Sequence, residues 1–322
     1  MGMKQNKEII NKKQSLKNIN VIFLKKIFFF ISIIYLIYCL KINVNKISLG
    51  IDLDLFRYHI IFSFIFCVLS IFFNAYAWSS ILSWLGFQGN SYKLVSHYIL
   101  TNSLKYVPGG IWHFVERFSY LKIRTNKYLS FYAIILEPYI MLSASLMLVS
   151  FGAFPFSSPL FLFFLIPSIF LNKKLIYSVL FKLELLKKRS IELFNISDSR
   201  SKVFSKIKLK SFFPIKPLLL EILFIITKFI GFFICFSIFN DIHIQNYFIL
   251  FIVFCLSWSI GLVVPAAPGG LGVFEASFIF FINKDFNQSS IIEGLIYFRL
   301  ISTISDLILS SPFFFKKTLK KS

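Results

Sequence analysis

The chain has 322 residues, 57% of them hydrophobic, with a mean hydropathy of +0.75 and a formal net charge of +21. This hydropathy excludes an ordinary soluble domain and places the chain among all-α polytopic membrane proteins. The basic residues lie in loops between apolar spans, so the charge reads as membrane topology and no nucleic-acid partner is expected.

Residues 1–26 hold seven lysines and one glutamate, and 21–40 forms the first apolar span, read as an uncleaved anchor because no small-residue cleavage site follows it. A second span covers 59–84, with Trp78 and Trp84 near its end. Two shorter apolar segments follow, 94–106 and 111–123, on either side of Pro108-Gly109-Gly110. A 13-residue helix is about 20 Å long against a hydrocarbon core of about 30 Å, so the pair predicts a re-entrant hairpin, with two interfacial helices as the alternative. Residues 128–152 make a full span containing Glu137-Pro138, where a kink is expected. Residues 156–171 are read as a further crossing despite Pro159 and Pro167, because the next loop is basic.

That loop, 172–216, has twelve basic and three acidic residues, and at 45 residues it is too short to suggest a separate catalytic domain. A span at 217–239 contains Glu221 and Lys228. The apolar stretch 247–264 then meets a second break, at Pro265, Pro268, Gly269, Gly270 and Gly272. Residues 271–282 lead out of it, and the last span is 291–312. The prolines cannot continue a helix, and a broken helix at membrane depth is tolerated only inside protein or beside a water-filled cavity. The break is therefore a site candidate.

The two breaks repeat at a shift of 160 residues. Pro108-Gly109-Gly110 maps onto Pro268-Gly269-Gly270, Phe114 and Phe274 each lie six residues beyond their proline, and Glu116 and Glu275 agree to within one position. The same shift carries 59–84 and 128–152 onto predicted spans. The reading is about six full spans and two broken hairpins in one membrane domain, with repeats at 59–152 and 217–312 joined by the basic 172–216 linker. With both termini in the cytoplasm, 29 of the 35 Lys and Arg fall in inside segments and four, Lys41, Lys46, Arg57 and Lys284, outside. The two units then have opposite orientation, an inverted-topology repeat of the kind that places transporter sites at broken helices.

Charges within the spans mark the polar centre. Arg299 and Asp306 lie two turns apart on one helix face, either as a polar track facing the hairpins or as part of a structural ion pair. Glu221 and Glu293, near span ends, read as interfacial. Lys228 is placed either opposite Glu275 or reaching the surface on its long stem. Glu275 and Arg299 are expected to face the same cavity, because only a short loop separates their helices. The helix starts after Gly110 and Gly270 offer amides to a phosphate or carboxylate, provided that Lys105, Arg117, Lys228 or Arg299 is near; Glu116 and Glu275 are the competing caps. His97 and His113, which could approach across the first hairpin, read as structural. No nucleophile, metal or phosphate-loop spacing is present, Cys39, Cys67, Cys235 and Cys255 read as apolar fillers, and no cofactor is expected.

At Lys105-Tyr106-Val107-Pro108-Gly109 with Trp112 and Arg117, at Pro265 and Pro268-Gly269-Gly270-Leu271-Gly272-Val273 with Glu275, and at Arg299-Leu300, the chain resembles the transmembrane region of lysylphosphatidylglycerol synthases. The resemblance covers about residues 20–315. It implies a flippase-like protein of the cell (inner) membrane that moves an anionic, aminoacylated or polyprenyl-phosphate-linked lipid between leaflets. The cytoplasmic synthase domain of the bifunctional members has no counterpart in this sequence, so synthase activity is not carried over. An accessory subunit for a cytoplasmic glycosyltransferase is the second reading, and a membrane-embedded transferase the third. The substrate-binding set expected from motifs and resemblance together is Lys105, Gly109, Gly110, Trp112, Glu116, Arg117, Lys228, Gly269, Gly270, Gly272, Glu275 and Arg299.

Overall fold

The structure is a computed structural model that describes residues 53–107, 109–125, 127–153, 159–171, 211–240, 242–264, 268–282 and 286–319. The expected first span, 21–40, and most of the basic linker lie outside the described residues. Among those described, the fold is all helical, with α1 (Leu53–Trp84), α2 (Ser91–Thr101), α3 (Trp112–Arg124), α4 (Lys127–Ala153), α5 (Ile215–Phe236), α6 (Tyr247–Val263), α7 (Val273–Phe281) and α8 (Gln288–Leu319). Stretches 57–84, 129–153 and 215–236, in α1, α4 and α5, are long and apolar enough to cross a membrane. At 1.5 Å per residue α2, α3 and α7 are each about 20 Å long or less and fall short of a bilayer core.

The described part of the crossing expected at 156–171, residues 159–171, is not one continuous α-helix. Residues Pro159–Leu165 make a 3-10 segment and Ile166–Ile169 a single α-turn. Pro159 and Pro167 each remove a backbone donor, which disfavours a continuous α-helix through so short a stretch. At position 138, by contrast, the helix continues through its proline inside α4.

α1 shows how the apolar sequence sorts itself. Tyr58, Ile61, Ile65, Leu69, Phe72 and Tyr76 recur every three or four residues and face outward, an apolar outer stripe suited to hydrocarbon. The opposite face, with Cys67, Ile71, Ala75 and Trp78, packs on α5. The approach is close because Gly231 has no side chain: a Cβ there would stand 3.1 Å from the Ser63 carbonyl oxygen, and the Ser63 hydroxyl donates to the Gly231 carbonyl at 2.7 Å. Next to Gly231, Phe232 is ringed by Phe236, Phe254, Phe274, Phe278 and Phe298 at centroid distances of 5.1–6.5 Å. This aromatic cluster joins α5, α6, α7 and α8 and fixes the second hairpin.

Helix contacts follow one rule. Exchanging α1–α4 with α5–α8 maps each pair of packed helices onto another: α1 with α8 becomes α5 with α4, α2 with α8 becomes α6 with α4, and α1 with α5 maps onto itself. The segments at the two Gly-rich turns also touch each other, so both turns lie at the centre of this arrangement.

Candidate functional site

Both turns depend on glycine. In the first, the Gly110 N–H donates to the Val107 carbonyl at 3.0 Å, with Gly109 third in the turn at φ +92°. That is the position of a type II turn where only a residue tolerant of positive φ fits well. In the second, Gly269, Gly270 and Gly272 all have positive φ. A Cβ on Gly269 would lie 2.8 Å from the Tyr106 ring, so the second turn rests directly on the end of the segment entering the first.

Each turn is followed by a short helix that is ion-paired to the last helix of its own unit. In the first unit Arg117 of α3, 1% exposed, donates to Oε1 of Glu137 on α4 at 2.5 Å. Its guanidinium also stacks 3.5 Å above the Tyr98 ring, and the Tyr98 hydroxyl donates to the same Glu137 oxygen at 2.9 Å. In the second unit the charges are exchanged: Glu275 of α7 accepts from Nε of Arg299 on α8. The other guanidinium nitrogens of Arg299 donate to the carbonyls of Gly269, at 3.4 Å, and Gly270, at 3.1 Å, so this side chain holds the turn as well as the helix behind it.

A third carboxylate ties the units together. Asp306 on α8 accepts from Asn102 Nδ2 at 2.7 Å, from the Tyr106 hydroxyl at 2.6 Å, and from Lys105, whose Nζ is 2.8 Å away. All three donors lie in the 3-10 segment Asn102–Tyr106 that leads into the first turn. Asn102 also accepts from Arg117 at 3.5 Å, which links the two carboxylate centres.

Between these groups lies a cavity of about 270 Å³. Lys105, Gly110, Arg117, Lys228, Gly269, Gly270 and Arg299 line it, all of them expected from sequence. Gly109, Trp112, Glu116, Gly272 and Glu275 do not reach the lining. Gly109 shapes the first turn; Trp112 and Glu116 are half-buried on α3. Glu275 reaches the site through Arg299, and its second oxygen accepts the Gly272 N–H at 2.7 Å. The amide at the start of α7 is therefore satisfied by a side-chain cap, whereas α3 begins at Ile111 with no side-chain cap. Lys228 is 3% exposed; its nearest aromatic partner is Phe298, at 6.0 Å, and among the described residues it forms no ion pair. It is thus buried in the site and does not extend to the surface.

One expectation changes at this level. Glu221 is 0% exposed, because α5 is flanked by α1, α4 and α8 where the sequence suggested a lipid–water interface. Arg299 and Asp306 both line the cavity, and each also forms an ion pair to another segment, with Glu275 and Lys105 respectively. His97 stacks on Tyr120 at 3.9 Å and His113 packs on Phe114, and among the described residues no group of His, Cys, Asp and Glu could hold a metal ion. Sequence reasoning missed Tyr98 and Asn102 as parts of the network; the usable signal was a hydrogen-bonding side chain in each of two apolar turns ahead of the first break. Compared with models of known protein families and with curated proteins, the chain matches none.

Proposed function

We propose that the protein moves an anionic lipid between the two leaflets of a membrane and holds the lipid headgroup in the cavity where the Gly-rich turns meet. The observation that carries this reading is the charge balance of the lining. Lys105, Arg117 and Arg299 each form an ion pair with a carboxylate, whereas among the described residues Lys228 forms none, the Asp306 carboxylate within its electrostatic reach being already held by Lys105. An ammonium taken out of water without a partner costs several kcal/mol, and the negative group of a ligand offsets that cost. The uncapped start of α3 at Ile111 lies in the same lining and adds a positive helix end.

Size narrows the ligand. Pockets that enclose whole drug-sized molecules are about 300–1,000 Å³. A cavity of about 270 Å³ holds a phosphate- or carboxylate-bearing headgroup, while acyl or prenyl chains stay outside against the apolar helix faces. The resemblance of the turn motifs to the transmembrane region of lysylphosphatidylglycerol synthases favours the same class: an anionic, aminoacylated or polyprenyl-phosphate-linked lipid. We read the exchangeable helix contacts as an inverted-topology repeat with both termini cytoplasmic, an arrangement that exposes a central site to either leaflet by rocking one unit against the other.

The test is translocation in proteoliposomes containing the purified chain alone, with a headgroup-labelled anionic phospholipid and a zwitterionic one as control. Faster movement of the anionic lipid, slowed about tenfold by Lys228→Gln (about 1.4 kcal/mol), supports the reading. No movement by the purified protein, together with co-purification of a cytoplasmic glycosyltransferase, refutes it in favour of an accessory subunit.

A further inference from the structure

We infer that Glu221 is a proton-binding site, holding one proton beside the Glu137 carboxylate and its counter-ion Arg117. Glu221 lies in the second turn of α5, roughly 9 Å along the helix from Ile215. It is 0% exposed, and neither of its carboxyl oxygens has a hydrogen-bond partner among the described residues. Glu137, on the neighbouring helix α4, is 3% exposed; its Oε1 takes Arg117 and Tyr98, and its Oε2 has no partner among those residues. α4 and α5 pack together, and the charged groups within electrostatic reach of Glu221 are Glu137 and Arg117.

Among the described residues no second cation acts on Glu221: Lys228 lies two turns further along α5, and Arg299 of α8 is held by Glu275. The buried face of α1 offers Ile71, Asn74, Ala75 and Trp78, none of them ionisable. α8 brings Asp306, already held by Lys105, Asn102 and Tyr106. From α2 the Tyr98 hydroxyl is committed to Glu137, and the buried serines on α6, Ser257 and Ser259, carry no charge. Two carboxyls therefore face one guanidinium.

Were Glu221 ionised as well, one negative charge would be left in the interior with no hydrogen-bond donor among the described residues, a state that costs several kcal/mol. A single bound proton removes that charge and leaves the Glu137 carboxylate for Arg117. Glu137 lines the central cavity, and its helix packs against the one that carries Glu221. Since α4 closes the first unit and α5 opens the second, the proton is bound between the units.

This site does not depend on the lipid reading, and the experiment uses no transport. Infrared difference spectra of the purified full chain at neutral pH report the C=O stretch of protonated carboxyls. The expected result is a band equivalent to one carboxyl in the wild type that disappears in Glu221→Gln. Glutamine has nearly the shape and the neutrality of the protonated acid, so Glu221→Gln keeps the wild-type thermal midpoint or raises it, whereas Glu137→Gln, which strips Arg117 of its carboxylate, lowers it. A band unaffected by Glu221→Gln overturns the inference. Loss of folded protein in Glu221→Gln to the extent seen in Glu137→Gln overturns it equally, because Glu221 would then be serving as an ionised partner.

Discussion

Lys105 Nζ stands 2.8 Å from Oδ2 of Asp306, joining the residue three places before Pro108 to the last helix of the opposite unit. With Asn102 and Tyr106 on the same carboxylate, the entry to the first turn is held by one residue of α8. Breaking a buried ion pair by removing one partner leaves an uncompensated charge and costs about 3–5 kcal/mol. Asp306→Ala should lose that much folding free energy, and Lys105→Met with Asp306→Leu should recover a large part of it. Unfolding measured in detergent checks both, and a single variant as stable as the wild type would remove Asp306 from this role.

Both members of the Glu275–Arg299 pair are partly exposed, at 21% and 12% of their side chains, whereas the Asp306 carboxylate is fully buried, so the coupling of Glu275 and Arg299 should be smaller. A double-mutant cycle of Glu275→Gln and Arg299→Gln is expected to give a coupling of about 1–2 kcal/mol, within the range of contacting groups. The hydrogen bonds of Arg299 to Gly269 and Gly270 make its loss the worse of the two single changes. Additive effects on folded yield would show that the pair contributes nothing.

Lys228 should separate stability from function. Replacing a buried ammonium that forms no ion pair among the described residues with Met removes a desolvation cost and is expected to raise the thermal midpoint, while movement of an anionic lipid falls at least tenfold. A variant that is both less stable and fully active would contradict the assignment.

Glycine substitutions distinguish strain from contact at the second turn. Gly272 has φ +80° with nothing within 4 Å of a Cβ, so Gly272→Ala should cost only the backbone strain, about 1–3 kcal/mol. Gly269 has φ +63° and a Cβ there would meet the Tyr106 ring at 2.8 Å, so Gly269→Ala should cost more. If removing that ring by Tyr106→Ala does not narrow the difference between the two, the turns do not press on each other.

Topology is open to reporter fusions. With 29 of 35 basic residues assigned inside, fusions at Ser190 and Ser322 should both report a cytoplasmic position. A signal from the other side at either site would undo the opposite orientation of the two units.

The sequence by itself determined the elements and their order. Helix length, apolar content and the Pro-Gly breaks are local properties, set by backbone donors and by the φ range of glycine, so α1, α4, α5 and both Gly-rich turns are legible from the residues alone. The stretch 156–171 is harder to read, because charge sidedness asks for a crossing that Pro159 and Pro167 do not favour as a single helix. Pairing of charges was decided only in the tertiary structure. Arg299 and Asp306 look like neighbours on one helix face, yet Arg299 is held by Glu275 and Asp306 by Lys105, Asn102 and Tyr106. The bond from Asn102 to Asp306 spans 204 positions, and nothing local in either residue encodes it. Glu221 makes the same point: its place near the start of α5 suggests an interface, and the packing of α1, α4 and α8 around that helix buries it completely. Burial is a property of the neighbours that other parts of the chain supply, and that is why the polar centre takes shape only when the two units come together.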